Sequence, residues 1–254
     1  MSYMNYYNDK IIDILSTTPV YIFLPITIVL YRLHYILYHM VLSYNHHYRS
    51  LMEDRQYYII FNMGKSTMLA FLSYLIYVGY RYNIIQLSHI DWSNQVLFKN
   101  ITGLYAITDL VPLFVSRKKM MTSTIIHHIC VVLALLGVLN SNLENIGISN
   151  AIILYGLFSS LAFFVNYFLG IRFLIKNAVV MKYVKKFTFI NYIIACTCNW
   201  SIQSVYLLYY LKKLIVLYIN NTIHMNNYIY LLLYVAFLYF WISDDIVLMR
   251  FLLK

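Results

Sequence analysis

The chain has 254 residues, of which 62% are hydrophobic and only 11% are charged. This balance excludes a water-soluble globular protein, because too few polar residues remain to cover its surface. The net charge of +10 does not indicate nucleic-acid binding, since the lysines and arginines are scattered between apolar segments and form no basic patch or binding motif. We therefore expect one membrane domain and no nucleic-acid partner.

Apolar segments follow one another along the whole chain. A helix needs about 20 mostly apolar residues to cross a hydrocarbon core of about 30 Å. The segments that qualify are residues 20–42, 57–79, 96–116, 124–140, 147–172, 187–211 and 228–249, of which the fourth is the shortest. Because these runs are long and apolar all round, they exclude a β-barrel. They predict an all-α, polytopic membrane protein with about seven transmembrane helices: residues 1–54 hold the N-terminus and first helix, and residues 55–254 form a six-helix membrane domain.

Lysine and arginine are unevenly distributed between the two sides of this predicted bundle. One side carries most of them, including the run 117–119 and the group at 172–186, whereas the other carries only Lys10, Arg81, Lys99, Lys212 and Lys213. The positive-inside bias then places the C-terminus in the cytosol and the N-terminus in the lumen or outside. The abundance of Tyr, Ile and Asn is typical of an AT-rich genome, such as that of a parasite or a large DNA virus; for a virus the membrane would be the host's.

Ionisable residues inside the apolar segments are the strongest functional signal. A charge near the bilayer centre costs about 3 kcal/mol even on lenient scales, so such a residue usually faces a partner or water. Asp109 precedes Arg117 by eight residues and His127 follows Lys119 by eight, which places both about 12 Å below the same border if the helices extend that far. The short connection makes helices three and four antiparallel neighbours. The sequence therefore predicts that Asp109 meets His127 or His128.

Adjacent histidines point about 100° apart on a helix, so one can face Asp109 while the other faces another helix or a cavity. Other polar residues lie at similar depth: Lys65, which we expect to neutralise an acid, Asn166 and Asp244. Asp245 is expected at the hydrated border. Two interpretations remain open. In the first, the polar layer only forms hydrogen bonds that hold the helices together. In the second, it lines a cytosol-facing cavity in which a His–Asp pair supplies a general base and its orienting carboxylate.

Several of these residues, taken in order, resemble the TLC (TRAM, LAG1 and CLN8) homology family over about residues 55–254. The most specific element is Asp109 followed eighteen residues later by His127-His128 in the apolar run 124–136. Weaker similarities are Phe163 to Tyr167 followed by Arg172, the opening segment 62–72, and the closing aromatic helix that ends at Arg250. The resemblance implies a six-helix membrane barrel preceded by one extra helix, located in the endoplasmic reticulum or a related membrane and acting on lipids.

Ceramide synthases in this family join a fatty acyl group from acyl-CoA to a sphingoid base, and paired histidines belong to their active site. The resemblance implies catalytic candidates at His127, His128 and Asp109. However, ceramide synthases also carry a His-Asp pair and a further Asp after the double histidine, whereas residues 141–166 contain Glu144 but no His or Asp. This favours a divergent branch that binds, senses or modifies membrane lipids, with a ceramide-synthase-like N-acyltransferase as the alternative.

The remaining expectations concern ligands and partners. Lys65, Asn166 and Asp244 are candidate substrate-binding residues. We expect no cofactor and no metal, because the three cysteines show neither a disulfide framework nor a zinc-ligand spacing. Membrane lipids are the expected partners, with acyl-CoA added if the chain is an acyltransferase, and the sequence is compatible with a homo-oligomer. A seven-helix receptor or channel is disfavoured by the lack of a pore-like ring of charges.

Overall fold

The computed structural model describes residues 3–82, 84, 90–115, 122–143, 147–220 and 225–253. Within these ranges the regular elements are all α-helices, which confirms the predicted all-α class. Arg117, Lys118, Lys119 and Glu144, used in the sequence argument, lie outside them. The helices are α1 Tyr3–Thr17, α2 Val20–Ser43, α3 His46–Arg49, α4 Glu53–Arg81, α5 Gln95–Val115, α6 Thr122–Leu139, α7 Ile148–Ser160, α8 Phe163–Ile171, α9 Ala178–Ile219 and α10 Met225–Leu253.

Five of these helices, α2, α4, α5, α9 and α10, are long and apolar enough to cross a membrane. The pair α7 and α8 passes the same criterion together but is bent by 45° at the short break between them. Helix α6 is apolar but shorter, with its apolar part at Thr124–Leu139. The chain is therefore a multi-pass membrane protein with five or six spans by length and composition. The seventh crossing, through α6, stays a prediction.

Helix α5 lies at the centre of the bundle. In its most apolar stretch 78% of the residues are buried, against 11% for α2 and α9 and 17% for α10. The outer helices expose large aliphatic and aromatic side chains, as lipid-facing surfaces do. Asn100, Thr108 and Asp109 of α5 are completely buried. A polar residue within an apolar helix thus marks the side that faces other helices.

Helices α5 and α6 are antiparallel neighbours, as predicted. At one end Gln95, at the start of α5, bonds to Asn142 and to the backbone N–H of Leu143, just after α6. Toward the other end Asp109 of α5 contacts His128 of α6. The two helices therefore run alongside each other in opposite directions and bring the acid and the imidazoles to the same end of the bundle.

Helix α1 precedes the first predicted span and was not foreseen. It packs against α5, where the buried amide of Asn100 donates to the carbonyls of Leu15 and Thr18 at 2.9 and 2.8 Å. These carbonyls lie at the C-terminal end of α1, where backbone acceptors lack intrahelical partners. Tyr74 of α4 also donates to Asn8 at 2.5 Å. The N-terminal segment is thus bound to the end of the bundle opposite Asp109.

Two predicted spans differ from the structure. The segment 147–172 is not one straight helix, since it breaks between Ser160 and Phe163 into α7 and α8. The segment 187–211 is only the middle of α9, whose 42 residues extend about 63 Å at 1.5 Å per residue, roughly twice the hydrocarbon thickness. Asn177 begins α9 by accepting hydrogen bonds from the N–H groups of Val179 and Val180. Part of α9 must therefore project beyond the membrane.

Candidate functional site

Asp109 is the centre of a polar cluster inside the bundle. Its side chain is fully buried, and its Oδ1 lies 2.5 Å from Nζ of Lys65 on α4. Helix α4 carries Lys65 three turns in from an N-terminal turn that contains Glu53 and Asp54, acids that favour a helix start. The prediction that Lys65 pairs with an acid is therefore confirmed, and that acid is Asp109.

The two histidines of α6 diverge toward different carboxylates. Nδ1 of His128 lies 2.6 Å from Oδ1 of Asp109, while Nδ1 of His127 lies 3.5 Å from Oδ2 of Asp244 on α10. This is the arrangement expected from the 100° step between adjacent helical residues. We refer to Lys65, Asp109, His127, His128 and Asp244 as the Asp109 cluster; it joins α4, α5, α6 and α10.

The exposure of the side chains in the cluster increases from the bundle interior to its surface. Side-chain exposure is 0% for Asp109, 8% for His128, 15% for His127, 19% for Lys65 and 41% for Asp244. Asp244 is therefore the most exposed member of the cluster and Asp109 the least exposed.

Three atoms of this cluster are buried without a directed hydrogen bond: Oδ2 of Asp109, Nδ1 of His127 and Nδ1 of His128. For His128 the contact with Asp109 is close but is not directed along an N–H bond, so it is electrostatic. Other buried atoms, among them Oδ1 of Asn100 and of Asn199, also lack a partner, but these three belong to neighbouring side chains of one cluster and could be paired together by a single ligand. Asp109, His127 and His128 can also each bring one nitrogen or carboxylate oxygen within 4.8 Å of the others. The sequence, read by cysteine spacing, had predicted no metal.

Asn166 is the predicted site residue for which the described part of the chain shows no contact with the cluster. It is half-buried on α8, and no hydrogen bond or ion pair among the described residues connects it to Asp109, His127 or Lys65. Its predicted role in substrate binding stays a prediction without geometric support. The other five candidates are brought together by the fold.

A second acidic group, which the sequence argument placed at the hydrated border, is built into the bundle instead. Asp245 of α10 accepts hydrogen bonds from the hydroxyl of Tyr192 at 2.7 Å and from the indole N–H of Trp200 at 3.0 Å, both on α9. The expectation of a solvated Asp245 is thus wrong. Tyr192 and Trp200 are eight residues apart, about 80° around α9, and their hydroxyl and indole N–H each reach a different oxygen of Asp245.

Sequence reasoning also missed polar contacts that hold α7, α9 and α10 together. Gln203 of α9 donates to the carbonyl of Ala151 at 3.1 Å and accepts from the hydroxyl of Tyr234 at 2.6 Å. Asn199 donates to Ser159 at 2.9 Å. Both side chains are buried amides within an apolar helix, the feature that singled out Asp109.

Comparisons with known proteins leave the chain without an assigned relative. No family model, no curated protein and no solved structure matches it.

Proposed function

We propose that this protein is a divergent TLC-domain membrane protein that binds, senses or modifies a membrane lipid at the Asp109 cluster. The observation that carries the proposal is the burial of a carboxylate, an amine and two imidazoles together at one end of the bundle, with exposure rising toward Asp244. A lipid headgroup carries the hydrogen-bonding and charged groups that such a cluster can bind. The acyl chains would lie along the apolar outer faces of the neighbouring helices.

The unpaired atoms of the Asp109 cluster favour a ligand-binding role over a purely structural role in holding the helices together. Gln203, which joins α7, α9 and α10, uses both its amide nitrogen and its amide oxygen, whereas Asn100 and Asn199 each leave one amide oxygen without a partner. In the Asp109 cluster, by contrast, one carboxylate oxygen and two imidazole nitrogens have no directed partner. Leaving such atoms unpaired costs about 1–3 kcal/mol each, which favours a ligand that pairs them.

The location of the site follows from the charge distribution. The side rich in lysine and arginine is the end of the bundle where α4 begins and α5 ends, which is also the end that holds the Asp109 cluster. By the positive-inside rule the cluster faces the cytosol, with the N-terminus in the lumen and the C-terminus in the cytosol. The resemblance to TLC proteins favours the endoplasmic reticulum or a related membrane, the host's if the protein is viral.

Comparison of the lipids that co-purify with the wild-type protein and with an Asp109→Asn variant tests the proposal. We expect mass spectrometry to show one lipid class enriched with the wild type and lost from Asp109→Asn. The matched control is Asp245→Asn, which alters the neighbouring acid that is paired with Tyr192 and Trp200. Identical lipid profiles for all three proteins would contradict the proposal and favour a purely structural cluster.

A ceramide-synthase-like N-acyltransferase is the second candidate, favoured by the 2.6 Å contact between His128 and Asp109. One imidazole would take a proton from the amine of a sphingoid base as that amine attacks the thioester carbonyl of acyl-CoA, and the CoA thiolate would leave. The assay combines purified protein, sphingoid base and acyl-CoA. Product that disappears in a His127→Ala/His128→Ala variant supports the enzyme, and absence of product over a range of acyl chains contradicts it.

A further inference from the structure

The three unpaired atoms of the Asp109 cluster share one property: each is a good metal ligand. Oδ2 of Asp109 is a carboxylate oxygen, and Nδ1 of His127 and of His128 are imidazole nitrogens. One ligand atom from each residue lies within 4.8 Å of the others. The Asp109 side chain is completely buried and that of His128 is 8% exposed, so these are groups built into the bundle interior.

We propose that Asp109, His127 and His128 bind a divalent transition-metal ion, of which Zn²⁺ fits best. Imidazole is a preferred ligand of zinc, whereas Mg²⁺ and Ca²⁺ require an all-oxygen shell that two histidines cannot give. Tetrahedral zinc with bonds of about 2.0–2.1 Å holds its ligands about 3.4 Å apart. Ligand atoms that are up to 4.8 Å apart must therefore approach one another by up to about 1.4 Å around the ion, a change that side-chain torsions can supply.

Lys65 does not compete for the ligand atom that zinc would use. Its Nζ contacts Oδ1 of Asp109, as does Nδ1 of His128, and Oδ2 is left without a partner. Lys65 then orients the carboxylate from outside the coordination shell, in the way that outer hydrogen-bond donors commonly fix metal ligands. Oδ2 of Asp244 lies 3.5 Å from the same Nδ1 of His127, so Asp244 either supplies a fourth oxygen or leaves that position to an exchangeable ligand.

Three protein ligands leave one tetrahedral position open, as in zinc sites that bind an exchangeable ligand. An oxygen of a lipid headgroup is suited to that position. This part of the inference rests on the proposed function, because it concerns the same cluster and the same ligand class. Metal binding itself does not depend on it and is measured without lipid substrate.

Zinc retention provides the test. The protein is purified in detergent without a polyhistidine tag, treated with a chelator, mixed with excess ZnCl2 and desalted, and its zinc content is measured by mass spectrometry. We expect about one zinc per chain for the wild type. The content should fall to background in His127→Ala/His128→Ala, and Asp109→Asn should bind zinc at least tenfold more weakly, the lower end of what lost metal-site contacts cost.

The matched control is His46→Ala/His47→Ala, which removes the other adjacent histidine pair, located on the short helix α3. This variant should keep the zinc. Zinc that disappears with His46 and His47 instead would show adventitious binding and overturn the inference. A wild-type protein that retains no zinc overturns it too, whatever the variants do.

Because the double-histidine variant can fail to fold, a second measurement uses the wild type alone. Co²⁺ in place of Zn²⁺ should give the intense visible absorption of a four-coordinate nitrogen and oxygen site. A weak octahedral spectrum would contradict the proposed ligands. If zinc and cobalt both fail to bind while Asp109→Asn still changes the co-purifying lipids, the metal inference is wrong and the proposed function stands.

Discussion

The Lys65–Asp109 ion pair should respond unequally to loss of its two members. Lys65→Met leaves the Asp109 carboxylate with no amine partner at a fully buried position, and breaking a buried pair in this way costs about 3–5 kcal/mol. Asp109→Asn instead leaves Lys65, which is 19% exposed and has a flexible stem that can carry its ammonium toward water. That change should cost about 1–3 kcal/mol, the penalty of a poorly paired buried polar group.

Equilibrium unfolding in mixed detergent micelles, with a chelator present so that metal plays no part, measures both free energies. Replacing both charges in Lys65→Met/Asp109→Leu should destabilise the protein less than Lys65→Met alone, because no buried charge is left unpaired. Lys186→Met, on an exposed position of α9, is the control and should change the free energy of unfolding by less than about 0.5 kcal/mol. An Asp109→Asn variant that is as unstable as Lys65→Met, or more so, would refute the reasoning from burial.

Three further predictions follow from packing and charge. Gly170→Ala should destabilise the protein by about 1–3 kcal/mol, because the added Cβ would lie 2.8 Å from Met63 and 3.2 Å from the carbonyl of Ile59; Gly137→Ala, with nothing within 4 Å, should not. Asn100→Leu should release α1, seen as faster proteolysis of the N-terminal segment, while the spans stay protected. Tags at the two termini should report opposite sides of the membrane in protease-protection assays, and tags on the same side would contradict an odd number of spans.

The all-α, multi-pass membrane class and the contact between Asp109 and His128 could be predicted from the sequence, for the same physical reason. In an apolar bundle every charged group is costly, so an acid and an imidazole at matching depth on neighbouring helices have few alternative partners. Helix periodicity then determined that His127 and His128 would point to different neighbours. Little tertiary information was needed beyond the short connection between the two helices.

Other features depend on tertiary contacts that composition does not show. Helix α1 is too short and polar to resemble a span, and its position depends on Asn100, more than 80 residues later in the chain. The break between α7 and α8 has neither proline nor glycine at its centre, residues 161 and 162 being Leu and Ala. Instead, Ser66 of α4 donates to the carbonyl of Phe163 at 3.0 Å, just after the bend. Because Phe163 is in the first turn of α8, this bond is an added contact between α4 and α8 beside the bend, and the sequence alone does not show it.

Asp245 provides an internal comparison for the Asp109 cluster, because both acids lie in the same bundle and differ mainly in how they are paired. Each oxygen of Asp245 accepts one directed hydrogen bond from a neutral donor, Tyr192 on one and Trp200 on the other, so neither oxygen lacks a hydrogen-bond partner. In Asp109, by contrast, Oδ1 contacts both Lys65 and His128, which can each carry a positive charge, and Oδ2 has no partner. An acid that served only to hold helices together would be expected to resemble Asp245. The unequal pairing of Asp109, together with the unpaired nitrogens of both histidines, is therefore the reason to look for a ligand at this end of the bundle.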